Sequence, residues 1–307
     1  MYQTILWILV VLISALFFSC YSRERLSFDE YRKSGGISYV KLQDGWTHYE
    51  LSGNPESEHT VVLIHGGTIP LCIWEPQMDA LRDAGFRVLR YDQYGKGFSS
   101  RPDGSYSRDL YARQLKNLLD SLQITTPVTL IGPSFGGAIS VHFTARYPER
   151  VRSIVLVSPA LNILDSDSPL TGPLRLLRIP CIGKTLYRLL IRRKIQERAM
   201  ALIGAPCGEI FMSQFRCKGT ERALFSQFRS DAYGDYREAT RSAAAAIKDI
   251  LLIRGTNDSD ITEAMIAEAR SNLPGCAFEE LSGSGHNPGA DMTEKFNRLL
   301  VDYIGSH

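Results

Sequence analysis

The segment Gly132-Pro133-Ser134-Phe135-Gly136 constrains the fold of this chain more than any other stretch. It follows the apolar run Val128-Thr129-Leu130-Ile131 and precedes a small-residue helical pattern that opens at Gly136-Gly137-Ala138. A strand that turns so sharply into a helix drives its central residue into an unfavourable backbone conformation. The positions two residues to either side must then lack a bulky Cβ. The turn holds a hydroxyl above the end of a buried strand, facing the free N–H groups of a helix N-terminus. Gly-x-Ser-x-Gly alone is a weak signal and also describes a buried turn serine; its place between strand and helix gives it weight.

Other segments supply that context. Val61-Val62-Leu63-Ile64 is a continuous apolar run, read as a strand buried on both faces of a parallel sheet. It ends in His65-Gly66-Gly67-Thr68, a flexible turn whose backbone N–H groups can point inward. Phe86 to Tyr91 reads as another strand, closed by Asp92-Gln93-Tyr94-Gly95-Lys96-Gly97-Phe98-Ser99. Downstream, the strand patterns Ile250 to Ile253 and Ala277 to Leu281 lead into Arg254-Gly255-Thr256-Asn257-Asp258 and Ser284-Gly285-His286-Asn287-Pro288. A serine, an acid and a histidine, each just after a strand and in that order, form a set suited to nucleophilic catalysis.

The chemistry explains the residue types. A serine hydroxyl is a poor nucleophile at neutral pH, and an imidazole within reach takes its proton as attack occurs. A carboxylate behind the ring fixes the tautomer and stabilises the imidazolium. Asp258 has a near competitor in Asp260, and either can instead cap the helix expected near Thr262; the first acid after the Gly-Thr-Asn turn is preferred. His286, flanked by Gly283, Gly285 and Pro288, sits in a loop setting that suits a mobile base. His65 is expected to hold its own loop by hydrogen bonds.

On these residues the chain resembles α/β-hydrolase fold enzymes of the lipase, esterase and carbon–carbon hydrolase type, from about Tyr39 to Ile304. The resemblance implies Ser134 as nucleophile, Asp258 as orienting acid and His286 as general base. It also implies an oxyanion hole made by the backbone N–H groups of Gly67 and Phe135, and an Asp92 that ties its own turn together. Similarity to monoacylglycerol lipases and small-ester hydrolases implies a lipid-like or small apolar ester as substrate, with no metal or organic cofactor. Pro133 stands where many relatives carry a polar residue, which weakens the match to carbon–carbon bond hydrolases. A serine rather than an aspartate at position 134 argues against haloalkane dehalogenase and epoxide hydrolase chemistry. The alternatives are carbon–carbon cleavage of a vinylogous diketone on the same three residues, and a non-catalytic binding protein. A binder has no need to keep all three.

At 307 residues the chain is long enough for one sizeable core. Alternating strand and helix patterns predict an α/β fold: a mostly parallel central sheet with helices on both faces, over residues 37–158 and 237–307. Helices are expected at Arg108 to Leu122, Gly137 to Tyr147, Thr262 to Asn272 and Met292 to Tyr303. Between residues 159 and 236 the alternation stops and prolines 159, 169, 173, 180 and 206 break the chain, which predicts a helical cap. From Leu174 to Met200, apolar residues recur among Arg175, Arg178, Lys184, Arg188, Arg192, Arg193, Lys194 and Arg198, opposed only by Glu197. That stretch reads as the solvated face of an amphipathic cap, or as a surface for anionic membrane or lipid-like substrate. A net charge of +2 gives no reason to expect nucleic acid as a partner.

Residues 1–22 form an N-terminal hydrophobic segment, with an uncharged run from Ile5 to Phe18 followed by Ser19-Cys20. The run falls short of the about 20 residues that a membrane span needs. Membrane attachment at the cell envelope is the expectation, either as a signal cut before a lipidated Cys20 or as an uncut anchor. In the second case Arg23, Arg25, Arg32 and Lys33 favour a cytoplasmic catalytic domain. Cys72, Cys181, Cys207, Cys217 and Cys276 are scattered without metal-ligand spacing, so no metal site is expected and no pairing follows.

Overall fold

The apolar runs become the centre of one sheet. The computed structural model describes residues 24–34, 38–179, 182–201, 203 and 205–307; the N-terminal segment 1–22, with Cys20, lies outside them. The strands are β1 (Tyr39–Lys41), β2 (Trp46–Gly53), β3 (Thr60–Ile64), β4 (Arg87–Tyr91), β5 (Val128–Pro133), β6 (Val151–Val157), β7 (Ile250–Gly255) and β8 (Ala277–Leu281). Their order is β1-β2-β4-β3-β5-β6-β7-β8. The pairs β1/β2 and β2/β4 are antiparallel, and every pair from β4 onward is parallel.

Side chains alternate between the two faces, as the period of a strand requires. Val62, Ile64, Leu89 and Leu130 join one core with the helices Arg108–Ser121 and Phe135–Arg146. Val61, Leu63, Val88 and Ile131 join the other with Met78, Leu81, Phe296 and Leu300 of the helices Glu75–Asp83 and Thr293–Ser306. The helix Arg108–Ser121 starts where the Ser107 hydroxyl accepts the N–H of Leu110, and it buries Leu110, Tyr111, Gln114, Leu115 and Leu118 at helical spacing. The helix expected from Gly137 begins two residues earlier, at Phe135, because Ser134 itself is its N-cap. A short capping-box helix at Phe28–Arg32, unanticipated from the pattern, packs Tyr31 on Phe98 with ring centroids 4.9 Å apart.

Strand β3 lies between β4 and β5, so the chain leaves it in opposite directions and a crevice opens at the carboxyl ends of β3 and β5. Between β6 and β7 come the helices Thr171–Leu177, Gly183–Leu186, Arg192–Ala201, Ala205–Ser213 and Thr220–Arg229. A disulfide between Cys72 and Cys207 ties this segment to the loop after β3, while Cys217 and Cys276 are free. Among the described residues no helix is long and apolar enough to cross a membrane.

Candidate active site

Ser134 has φ 51° and ψ −119°, a conformation L-residues rarely adopt. A Cβ on Gly132 would come within 2.3 Å of the Gly136 carbonyl carbon, and one on Gly136 within 2.2 Å of the Ile64 oxygen. The two glycines of the motif therefore let the helix start sit directly against β3 and β5. The serine backbone is gripped on both sides. Its N–H donates to Val157 O at 2.9 Å, and its carbonyl accepts from Ala160 N at 3.0 Å. The next N–H, that of Phe135, is the first of the helix and has no intrahelical acceptor.

The acid and the histidine come from loops after β7 and β8. His286 Nδ1 donates to Asp258 Oδ2 at 2.8 Å, and the Asp258 side chain is fully shielded from solvent. Its other oxygen, Oδ1, accepts from the N–H groups of Asp260 (2.8 Å) and Ile261 (3.1 Å). Burial works to raise the Asp258 carboxyl, but the His286 hydrogen bond and charge, with the Ile261 N–H, outweigh it and hold the group below its usual range. The helix after this loop is capped by Thr262, which accepts from Met265 N, so neither aspartate serves as that N-cap. Asp291 Oδ2 accepts from Gly285 N at 2.8 Å and fixes the approach to His286.

Behind the loop after β3 lies a buried polar network. His65 Nδ1 donates to Gly66 O at 2.8 Å while Nε2 accepts from Gln93 N at 3.0 Å, which defines a neutral ring. Burial, reinforced by Lys96, lowers its pKa to about 4. Asp92 does tie its turn: it accepts from Leu71 N at 2.9 Å, Phe98 N at 2.8 Å and His48 Nδ1 at 2.8 Å. Gln227, from the helix Thr220–Arg229, donates Nε2 to Gly67 O at 3.0 Å and accepts the Tyr111 hydroxyl on Oε1 at 2.6 Å. Tyr111 in turn accepts from the fully buried Lys96 Nζ at 3.1 Å, whose pKa burial drives well below the ordinary lysine value. Tyr233 stacks on Phe135 with centroids 5.0 Å apart, and its hydroxyl crowds Gly67 so closely that an added Cβ there would lie 2.0 Å away. Only glycine at position 67 admits this approach. None of Gln227, Tyr111, Tyr233 or Lys96 carried a sequence signal; Gln227 meets Tyr111 across 116 residues and Gly67 across 160.

A cavity of about 170 Å³ opens where these loops converge. Ser134, Gly67 and His286 line it together, with Asp258 behind the histidine. The wall opposite is formed by Leu170, Pro173, Leu174, Ile195, Ala199 and Phe228 of the segment between β6 and β7. Among the described residues the lining includes one carboxylate, Asp260, and neither lysine nor arginine. Among the described residues no cluster of three or more His, Cys, Asp or Glu could hold a metal ion.

Comparison with known proteins places this geometry in context. Residues 59–177 match the family described as alpha/beta hydrolase fold. The 2-hydroxy-6-oxononadienedioate/2-hydroxy-6-oxononatrienedioate hydrolase of Escherichia coli (strain K12) is 42% identical over 259 residues, covering 81% of this chain and 88% of that one. The carboxylesterase YbfK of Bacillus subtilis (strain 168) is 36% identical over 123 residues, 40% of each chain. Among solved structures, the haloalkane dehalogenase DbeA from Bradyrhizobium elkani USDA94 superposes with a TM-score of 0.75 at 22% identity, covering 88% of this chain and 98% of that one, a likeness of fold.

Proposed function

The chain belongs to the α/β-hydrolase family and is a hydrolase, and from that premise we propose that it cleaves uncharged carboxylic esters through an acyl-enzyme on Ser134. The Ser134 hydroxyl attacks the ester carbonyl carbon while His286 Nε2 takes its proton, with Asp258 holding the Nδ1–H side of the ring. The carbonyl oxygen becomes an oxyanion held by the N–H groups of Gly67 and Phe135. Collapse breaks the bond to the alcohol oxygen, which leaves with the proton from His286. Water then attacks the acyl-enzyme, giving its proton to His286, and the carboxylic acid departs as Ser134 regains its hydrogen.

One observation carries the choice of substrate: among the described residues the cavity wall is mostly apolar and includes no lysine or arginine. A dicarboxylate such as the one in the name of the Escherichia coli relative calls for Arg or Lys partners. A space of about 170 Å³ with a mostly apolar lining suits an apolar acyl group. A second reading, carbon–carbon cleavage of a vinylogous diketone, draws on the 42% identity to that relative over 81% of the chain.

The test is direct. A fluorophosphonate probe should label the protein covalently, and Ser134→Ala should abolish labelling while the circular dichroism spectrum is retained. Short p-nitrophenyl esters should then be hydrolysed and a dienoic diketone carboxylate left intact. Labelling that persists in Ser134→Ala removes this serine from the chemistry; cleavage of the diketone alone selects the second reading.

A further inference from the structure

We propose that the outer face of the helices spanning residues 171–201 is a docking surface for an anionic lipid bilayer. Large hydrophobic side chains are normally hidden. Here the exposed ones among the described residues are Leu176 (45%), Ile179 (39%), Ile182 (50%), Leu189 (45%) and Met200 (41%), and all fall within this one stretch. Such clustering marks an interaction surface. Arg175, Lys184, Arg193 and Lys194 are exposed among them, and Glu197, the one acid of the stretch, pairs with Arg193. Apolar side chains interleaved with cations that outnumber the acids of the stretch match the chemistry of an anionic interface and not that of an ordinary protein groove.

The path of the chain supports the same orientation. Glu24 accepts the N–H groups of Gly219 and Glu221, and it shares a surface pocket with Lys184, Tyr187 and Arg188. The polypeptide thus enters the described structure beside Lys184 and Arg188. Five residues lie between Phe18, the last of the uncharged apolar run, and Glu24. The six fully extended steps reach only about 20 Å. An apolar run held in a lipid layer therefore keeps Glu24, with Lys184 and Arg188 beside it, within about 20 Å of that layer. The helices Thr171–Leu177 and Arg192–Ala201 also turn Leu174 and Ala199 inward to line the cavity. This pair of helices thus carries Leu176 and Met200 on its exposed side and part of the cavity wall on its inner side.

The docking rests on the proposed hydrolysis only for its purpose, which is to take apolar esters from the interface, and the test separates the two. The full chain is added to vesicles of phosphatidylcholine and phosphatidylglycerol, and amide exchange is followed by mass spectrometry. Peptides covering residues 174–200 should exchange about tenfold more slowly on these vesicles, and less so on pure phosphatidylcholine. Leu176→Glu/Ile182→Glu/Leu189→Glu should lose that protection while hydrolysing a soluble short ester at the wild-type rate. Equal exchange with and without vesicles overturns the proposal. So does protection already complete without lipid, which would mean that the chain's own N-terminal segment covers the ridge. Vesicle protection without hydrolysis of any ester leaves the docking standing and rejects the ester reading.

Discussion

Replacing Gln227 by leucine isolates the link between the cap and the loop that carries Gly67. The glutamine is fully buried, and its amide holds the Gly67 carbonyl at 3.0 Å and the Tyr111 hydroxyl at 2.6 Å. Leucine keeps most of the volume and removes both partners. A buried polar group left unpaired costs about 1–3 kcal/mol. Both orphans fall at the low end here, because Tyr111 keeps Lys96 as a neighbour at 3.1 Å and Gly67 is only half-buried. The sum is about 2 kcal/mol of stability, read as a lower urea midpoint at unchanged slope. The effect on rate is separate. Full loss of one oxyanion donor costs about 3–4 kcal/mol, and a loosened rather than absent Gly67 N–H should forfeit somewhat under half of that. At 1.36 kcal/mol per decade, kcat on a p-nitrophenyl ester should fall about tenfold. KM should hardly move, since the apolar wall is untouched and only the transition-state oxyanion feels the change. A variant with the lower urea midpoint but wild-type kcat would show that Gln227 merely joins the cap to the core, and the reasoning would fail.

Two further outcomes follow from buried groups. His65 titrates at about 4 in the folded chain against 6.5 as a free side chain. The unfolded state therefore binds the extra proton between these values, so stability is fully present above pH 6.5 and is lost as pH falls through about 4. The loss is on the order of 3 kcal/mol. Urea midpoints of wild type should drop more steeply over that window than those of His65→Asn, and equal slopes would rule the group out. The Cys72–Cys207 bond closes a separation of 135 residues, for which the chain-entropy argument gives about 4–5 kcal/mol. Reductant and the double replacement Cys72→Ser/Cys207→Ser should lower the urea midpoint to the same value. A shift under about 1 kcal/mol would mean that the bond contributes little to the folded state.

What could be read without coordinates was local. Val61 to Ile64 and Val128 to Ile131 announced buried strands because a strand covered on both faces must be apolar at every position. Gly132 and Gly136 announced the turn because their missing Cβ atoms are a steric necessity of that corner. Asp258 and His286 were legible because each ends a strand pattern. The hydrogen bonding of His65 was expected of its loop, and that of Asp92 came from the family resemblance and not from spacing. The rest is long-range. Nothing in the spacing of Cys72 and Cys207 tells which cysteines meet, and Gln227 is an unremarked polar residue until the fold carries it to Gly67. Lys96 shows the limit most plainly: a lysine in a loop reads as solvated, yet it lies under Tyr111, its Nζ 4.4 Å from the ring centroid, because Gln93, Tyr111 and the rings around it close over the turn. The basic residues of 174–200 and the breaking of the cap into short helices were visible, but the outward-facing Leu176, Ile182 and Leu189 were not, since Pro180 and Gly183 interrupt any single periodicity there.

The backbone at position 134 has a consequence for how this chain can change over generations. Its φ of 51° is a conformation that costs of order 1–3 kcal/mol for a residue with a side chain and almost nothing for glycine. Trading the alcohol for a hydrogen atom would relieve that cost and, on the proposed chemistry, leave a sturdier, inert protein. A hydroxyl at that corner sits against the backbone's own preference, and the acyl transfer proposed for it is a use that would offset the strain.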